Sequence, residues 1–246
     1  MKRPVVEAMV AVIPVRNEAD LLEPSLVALA SAVQAAREAR LRCEVRIVLD
    51  ACTDASAEIA IASGFPVLHC DAARVGAARR HGIAAGLRAL DDLDADRVWI
   101  ANTDADSRVP PHWLTHQHAT SRVADIWLGT VRPDFADLSP IQREHWLRTH
   151  PRGRTNLNIH GANLGLRAQS YIEAGGFASI GEHEDVDLVS RCRALGAVIL
   201  GSDAAEVLTS GRFVGRSPGG YAEFLRGQAS ELIADSSGES LPRGAS

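Results

Sequence analysis

Apolar residues fall into two alternating rhythms along the first hundred positions. The short runs Ala8 to Pro14, Val45 to Leu49, Val67 to His69 and Arg97 to Ala101 predict strands. Between them Asp20 to Arg40, Ala55 to Ser63 and Ala77 to Leu90 read as helices. In the first helix Leu22, Leu26, Leu29 and Val33 recur at steps of three and four, while Glu23, Gln34, Arg37 and Glu38 fill other faces. That spacing predicts one helix face laid on a sheet. Strands alternating with helices predict βαβ units, hence an α/β fold with a single Rossmann-like sheet.

Beyond Pro110 and Pro111 the pattern loosens. A helix is predicted near His112 to Arg122, a strand near Ile126 to Val131, and a loop-rich polar insert from Arg132 to Asn158. Order returns with Gly161 to Leu166, a helix after Gln169, a turn at Gly175-Gly176 and a helix from Glu184 to Leu195. Ser, Gly, Glu and Ala dominate from Ala229, which predicts a disordered tail over 229–246 after one domain spanning 1–228.

Length and charge narrow the function classes. The 246 residues suffice for a core without disulfides or zinc. The net charge of -5 arises from acidic and basic residues interleaved along the chain, which excludes the basic footprint of a nucleic-acid binder. Lys2 is the only lysine, so positive charge is carried by arginine, whose planar fork suits phosphates and carboxylates. Cys43, Cys52, Cys70 and Cys192 show no CxxC spacing and read as reduced, mostly buried thiols. The apolar run Val5 to Val15 is too short for a membrane span and has no cleavage site after it, so no integral membrane segment and a cytoplasmic location are expected.

Candidate chemistry gathers where strands end. Asp104 and Asp106 directly follow the Arg97 to Ala101 strand, at the carboxyl edge where open α/β sheets bind ligands. In an extended segment the two would share a side and present hard oxygens to Mg²⁺ or Mn²⁺, with further ligands from a diphosphate; a solvated Asp turn is the plainer alternative. Pro14, Arg16, Asn17 and Glu18 end the first strand and Asp50 the second. Asp50 is a candidate for a base ring nitrogen, Asn17 or Glu18 for ribose or the helix start, and Thr53 or Asp54 for the next helix cap. Arg79 lies in the small-residue basic segment Arg74 to Arg80, placed for phosphate contact or for a solvated face. Four carboxylates crowd Gly181 to Leu188, more than capping requires, and Asp185, then Glu184, are the candidates for a general base. Of His112, His116 and His118 the first two stand four apart, but no HExxH completes a zinc site, so surface or satisfied histidines are expected.

Together these segments resemble family 2 glycosyltransferases of the GT-A fold over roughly Ala8 to Gly196. Pro14 to Glu18 is similar to the opening I-P-x-x-N-E; Val48 to Asp54 to V-D-D-x-S-x-D, with Leu49 and Cys52 as departures; Gly76 to Gly82 to G-x-x-x-A-R-N-x-G, with His81 for asparagine. Thr103 to Asp106 resembles the metal motif. Gly161 to Arg167, Gly175 to Phe177 and Glu184 to Arg191 resemble the acceptor-side block. The resemblance implies a mixed, mostly parallel sheet with helices on both faces, a nucleotide-sugar half at about 5–110 and an acceptor half at about 111–228. It implies transfer with inversion from a nucleoside-diphosphate sugar to an acceptor hydroxyl, with Asp104 and Asp106 at the metal (Mn²⁺ or Mg²⁺), Asp104 also near ribose, and Asp185 as base. Arg212 or Arg216, in the small-residue region Thr209 to Gly220, would then close over the diphosphate. Two other readings compete: a catalytically inactive nucleotide-sugar-binding or partner-binding protein on the same fold, and a nucleotidyltransferase, which lacks its glycine-rich arginine loop here. Trp146, His145 and His150 in the polar insert leave the acceptor unassigned.

Overall fold

The structure, a computed structural model, describes residues 3–212 except 154 and 156, together with 222, 223 and 225–227. Strands β1 (Ala8–Val15), β2 (Arg42–Asp50), β3 (Val67–Cys70) and β4 (Val98–Asn102) alternate with helices α1 (Ala19–Glu38), α2 (Ser56–Ala62) and α3 (Val75–Arg88). There follow β5 (Ser107–Arg108), α4 (Trp113–Thr120), β6 (Ile126–Pro133), α5 (Pro140–Thr149), β7 (Leu164–Arg167), α6 (Ala168–Glu173), α7 (Glu184–Ala194) and β8 (Ile199–Thr209). One sheet holds them in the order β3-β2-β1-β4-β7-β6-β8-β5. The pairs β1–β2, β1–β4, β2–β3 and β6–β8 are parallel. β7 runs antiparallel between β4 and β6, and β5 antiparallel to β8. The β1–β4 half is the parallel βαβ arrangement that the alternation predicted, and the whole is the mixed, mostly parallel α/β sheet that the resemblance implied.

β1 sits inside the sheet, and all eight of its residues are buried. Because side chains alternate along a strand, Met9, Ala11, Ile13 and Val15 enter one core layer with Leu22, Leu26, Leu29 and Val33 of α1. Ala8, Val10 and Val12 enter the other, with Ala78 and Ile83 of α3 and Leu188 and Val189 of α7. Helices thus cover both faces. Burying a leucine such as Leu26 contributes about 2 kcal/mol, which fixes α1 with its first turn beside the carboxyl ends of β1 and β2.

The loop-rich polar insert also carries a helix, α5, at Pro140–Thr149. Its start is built by a capping box, Ser139 Oγ accepting from the Gln142 amide at 3.4 Å and Gln142 Oε1 from the Ser139 amide at 2.8 Å, with Pro140 at the first helical position. Such a cap is worth about 1 kcal/mol. Thr209, where the small-residue region begins, closes the eleven-residue strand β8. Arg216, the rest of 213–221 and the tail 229–246 lie outside the described residues.

All four cysteines are free, but only Cys192 is fully buried; Cys43, Cys52 and Cys70 are half-buried. Desolvation pushes the Cys43 and Cys192 thiols up to about 11, so neither is a nucleophile at neutral pH. Of the three histidines of the α4 region two are satisfied as expected, whereas the buried Nε2 of His116 has no hydrogen-bond partner among the described residues. A ring nitrogen of His112 bonds the Ala204 carbonyl at 2.8 Å, one of His118 bonds the Val6 carbonyl at 3.0 Å, and His116 packs edge-on against Trp127. Among the described residues no helix is long and apolar enough to cross a membrane.

Candidate active site

The carboxyl ends of β1, β2 and β4 open onto a cleft of about 590 Å³. Pro14, Arg16 and Glu18 reach it from the end of β1, Asp50 from β2, Asp104 and Asp106 from the turn after β4, and Glu184 and Asp185 from the first turn of α7. The sheet therefore gathers into one cavity side chains that lie far apart along the chain, Pro14 and Asp185 among them 171 positions apart.

A buried cation organises the centre. Arg79, 3% exposed on α3, donates to Asp104 Oδ1 at 2.6 Å and to Glu184 Oε1. Its guanidinium also lies over the Phe177 ring at 5.6 Å. A buried arginine needs such partners, because desolvation would otherwise make its charge untenable. Burial raises the Glu184 carboxyl, with Arg79 opposing. Glu184, the second candidate base, is thus engaged in an ion pair, and Arg79 orients Asp104 instead of standing open for a phosphate. Close packing here explains a glycine: a Cβ on Gly161 would lie 2.4 Å from Arg79 Nη2. The Gly161 amide is free to donate to Asp185 Oδ2 at 2.7 Å, and Asp185 Oδ1 accepts from the Val186 amide at 2.8 Å. These bonds fix the Asp185 carboxylate at the mouth of α7.

Asp104 and Asp106 do not share an extended side; a turn separates them and gives them different partners. Asp106 precedes β5, whose pairing with β8 sets Ser107 Oγ 2.9 Å from Thr209 Oγ1. Three residues past Thr209, Arg212 lies 3.0 Å from Asp106 Oδ2 and makes a bidentate pair with Glu18 at 2.5 and 2.7 Å. Burial pushes the Asp106 carboxyl up to about 6, with Asp104 and Glu18 adding to the rise and Arg212 opposing it. Among the described residues no three His, Cys, Asp or Glu side chains form a metal cage. The donor set still fits a hard divalent cation: one or two carboxylates, the remaining ligands supplied by a diphosphate, is how Mg²⁺ and its relatives are usually held. Burial is the main cause of the rise, and the Asp104 and Glu18 charges that add to it are ones such an ion would offset.

The loops at the β1 and β2 ends brace one another. Asn17, in the left-handed region at φ 53°, accepts from the Thr53 amide at 2.7 Å and does not line the cleft. Asp50 is buried, and its two oxygens accept from the Ala73 and Arg74 amides, both at 2.8 Å. Arg16 donates to the Ala73 carbonyl at 3.0 Å. Asp54 accepts from the Ala19 and Ser56 amides, so it secures the starts of both α1 and α2. Arg191 binds Asp187 at 2.6 Å and closes the Gly175-Gly176 turn through the Ala174 and Gly176 carbonyls. Beyond the predicted residues the cleft also takes in Thr130, Asn158, His160 and His183. His183 stands in the acidic Gly181 to Leu188 segment, whereas Thr130, Asn158 and His160 stand in no motif and are found only by the topology.

Comparisons with known proteins agree with this architecture. The chain resembles the mannosyltransferase PcManGT from Pyrobaculum calidifontis, solved with GDP-Man and Mn²⁺, with 17% identity, TM-score 0.57, and coverage of 95% of this chain and 76% of that one. It resembles S. aureus TarS 1-349, solved with UDP, with 14% identity and TM-score 0.57; 82% of this chain is covered, spanning 60% of that one. Glucosyl-3-phosphoglycerate synthase from Mycobacterium tuberculosis, solved with Mn²⁺, UDP and phosphoglyceric acid, matches with 14% identity and TM-score 0.51 over 97% of this chain and 80% of that one. No curated protein matches by sequence. At these identities the structural likeness speaks for the fold, which is GT-A. The family model described as Glycosyl transferase family 2 matches residues 10–171, from β1 through the Asp104–Asp106 turn into α6, and the chain belongs to that family.

Proposed function

We propose that the protein transfers a sugar from a nucleoside-diphosphate sugar to an acceptor hydroxyl, with inversion and with the help of Mn²⁺ or Mg²⁺. The observation that carries this reading is the convergence of Asp104, Asp106 and Asp185 on one cleft at the carboxyl edge of the sheet. The donor's nucleoside would lie over the β1 and β2 ends, between Pro14, Arg16 and Asp50. With Asp50 spending one lone pair of each oxygen on the Ala73 and Arg74 amides, its second lone pairs remain for a base N–H. Asn17 acts from behind, by holding the loop.

Asp106, with Asp104, would hold the divalent cation. A cation bound there supplies Lewis-acid stabilisation of the charge growing on the departing diphosphate. Arg79 keeps Asp104 aimed, since its other guanidinium nitrogen is anchored by Glu184. Asp185 accepts the proton of the acceptor hydroxyl, as Glu184 is committed to Arg79 and the Gly161 amide fixes Asp185 in the cleft. General-base help of this kind is worth 10²–10⁴ in rate, on the order of 3–5 kcal/mol. Arg212 balances Glu18 and Asp106 in the donor-free protein and, released from them, reaches the diphosphate. Release of nucleoside diphosphate from UDP-glucose and GDP-mannose, followed with and without acceptor mixtures, tests the reading. Turnover that Asp185→Asn lowers by at least about 100-fold supports it; full turnover in that variant removes Asp185 from the chemistry.

A further inference from the structure

The end of β8 carries Arg212 to the acid pair, and part of what holds that end lies outside the cleft. β6 and β8 finish side by side, with Pro133 opposite Thr209. Past that pair the two segments stay joined: the Asp134 amide donates to the Thr209 carbonyl at 2.7 Å, and the Gly211 amide donates to Asp137 Oδ2 at 2.7 Å. Asp137 ends the single 3₁₀ turn Phe135–Asp137, which Asp134 starts by accepting from the Ala136 amide at 3.1 Å. Asp134 is paired in turn with Arg108, two residues past Asp106. Among the amides of 210–212, that of Arg212 turns back to Ser210 Oγ at 3.3 Å, and the other two leave the segment. The Ser210 amide reaches the Asp106 carbonyl at 3.2 Å, and the Gly211 amide reaches Asp137. Packing is as close as the bonding, for a Cβ on Gly211 would lie 2.8 Å from both the Asp134 carbonyl oxygen and Asp137 Cβ.

This anchorage acts on the acid pair through one side chain. The Arg212 guanidinium lies 3.0 Å from Asp106 Oδ2 and holds Glu18 at 2.5 and 2.7 Å. Arginine has many rotamers to lose on pairing, so it stays on a carboxylate most readily where its backbone is already fixed. Thr209, Ser210 and Arg212 line the cleft, whereas Asp137 is exposed and does not line it. Any influence of its hydrogen bond on the cleft therefore passes through residues 210–212. Resting on the reading of Asp106 as a metal ligand above, we propose that Asp137 is a positioning residue. By fixing the Gly211 amide it keeps Arg212 seated on Asp106 and Glu18, so the donor-free protein holds its own guanidinium where the divalent cation must enter. Direction distinguishes this anchor from plain charge. Removing an acid by itself weakens the attraction of a protein for a cation, whereas removing the anchor strengthens it.

Calorimetric titration of Mn²⁺ into the nucleotide-free full chain tests the proposal, with urea unfolding of each variant to establish that it is folded. Asp137→Ala tightens Mn²⁺ binding by about three- to tenfold, a part of what one hydrogen bond to a charged group is worth. Asp137→Asn removes the same charge but keeps an accepting oxygen for the Gly211 amide, and its affinity stays within about twofold of wild type. Gly211→Ala sets a methyl group against the Asp134 carbonyl, unseats the segment by a separate route, and tightens binding in the same way. In an Arg212→Ala background Asp137→Ala changes the affinity by less than about twofold, because the guanidinium it positions is gone. Unchanged or weaker binding in Asp137→Ala and Gly211→Ala overturns the proposal while Arg212→Ala still tightens Mn²⁺. So does a tightening that Asp137→Asn reproduces, or one that persists at full size without Arg212. If none of these proteins, Arg212→Ala included, binds Mn²⁺ with UDP or GDP either present or absent, the metal-site reading itself fails and the proposal falls with it.

Discussion

Replacing Arg79 by methionine, which keeps much of the volume and removes the charge, isolates the ion network at the centre of the cleft. The change strips two carboxylates of their partner. Asp104, with 35% of its side chain exposed, is rehydrated and contributes little. Glu184, with 7% exposed, is left as a buried charge without a counter-ion, a situation that destabilises proteins by about 3–5 kcal/mol. For a chain of this size that corresponds to a drop in Tm of about 10 °C. The sign of the pH dependence follows from Glu184. Burial already raises its pKa and Arg79 is what opposes the rise, so in the variant the folded value climbs further above the unfolded one. The folded state then binds the extra proton, the full stability is present below the unfolded value, and it is lost as pH rises through the folded value. The deficit against wild type is therefore larger at pH 8 than at pH 5. Urea unfolding at the two pH values measures it. Adding Glu184→Gln to the variant, which removes the stranded charge, recovers most of the loss in a double-mutant cycle. A deficit under about 1 kcal/mol at pH 8, or one that does not change with pH, refutes the argument that this pair is a buried charge cluster.

Other consequences concern the acid pair. Arg212→Ala removes the cation now balancing Glu18 and Asp106, so Mn²⁺ binding to the donor-free protein tightens by about tenfold; unchanged or weaker binding by calorimetry contradicts this. Asp106 titrates at about 6 in the fold, above its unfolded value. The metal-free fold accordingly loses this group's contribution as pH rises through about 6, whereas Mn²⁺ binds the ionised form. The Mn²⁺-induced rise in Tm should be full near pH 8 and fade below about pH 6, and a rise independent of pH refutes the assignment of Asp106.

The sequence made the sheet legible where side chains repeat. The Leu22, Leu26, Leu29 and Val33 stripe of α1, the end of β2 at Asp50 and the placing of Asp104 just after β4 emerged in place because local periodicity and strand order determine them. β8 escaped notice: Ile199–Thr209 contains Gly201, Ser202, Asp203 and two alanines, and it is a strand because β6 and β5 pair with it rather than because its residues favour extension. α5 escaped differently. It buries only Trp146, so no stripe marks it, although the Ser139 to Gln142 capping box was present to be read. The Arg79–Glu184 pair spans 105 positions and the Arg212–Glu18 pair 194. No local pattern encodes such contacts, which is why Glu184 reads as a base candidate in the sequence and as a structural counter-ion in the fold.

The central claim is that Asp106 holds the donor's diphosphate through a divalent ion while Asp185 serves the acceptor. Calorimetric titration of UDP and GDP in the presence of Mn²⁺ against wild type, Asp106→Asn and Asp185→Asn tests it most directly. The account predicts equal affinities for wild type and Asp185→Asn, and for Asp106→Asn a loss of at least about 100-fold, near 2.7 kcal/mol. Undiminished, Mn²⁺-dependent nucleotide binding by Asp106→Asn would contradict it.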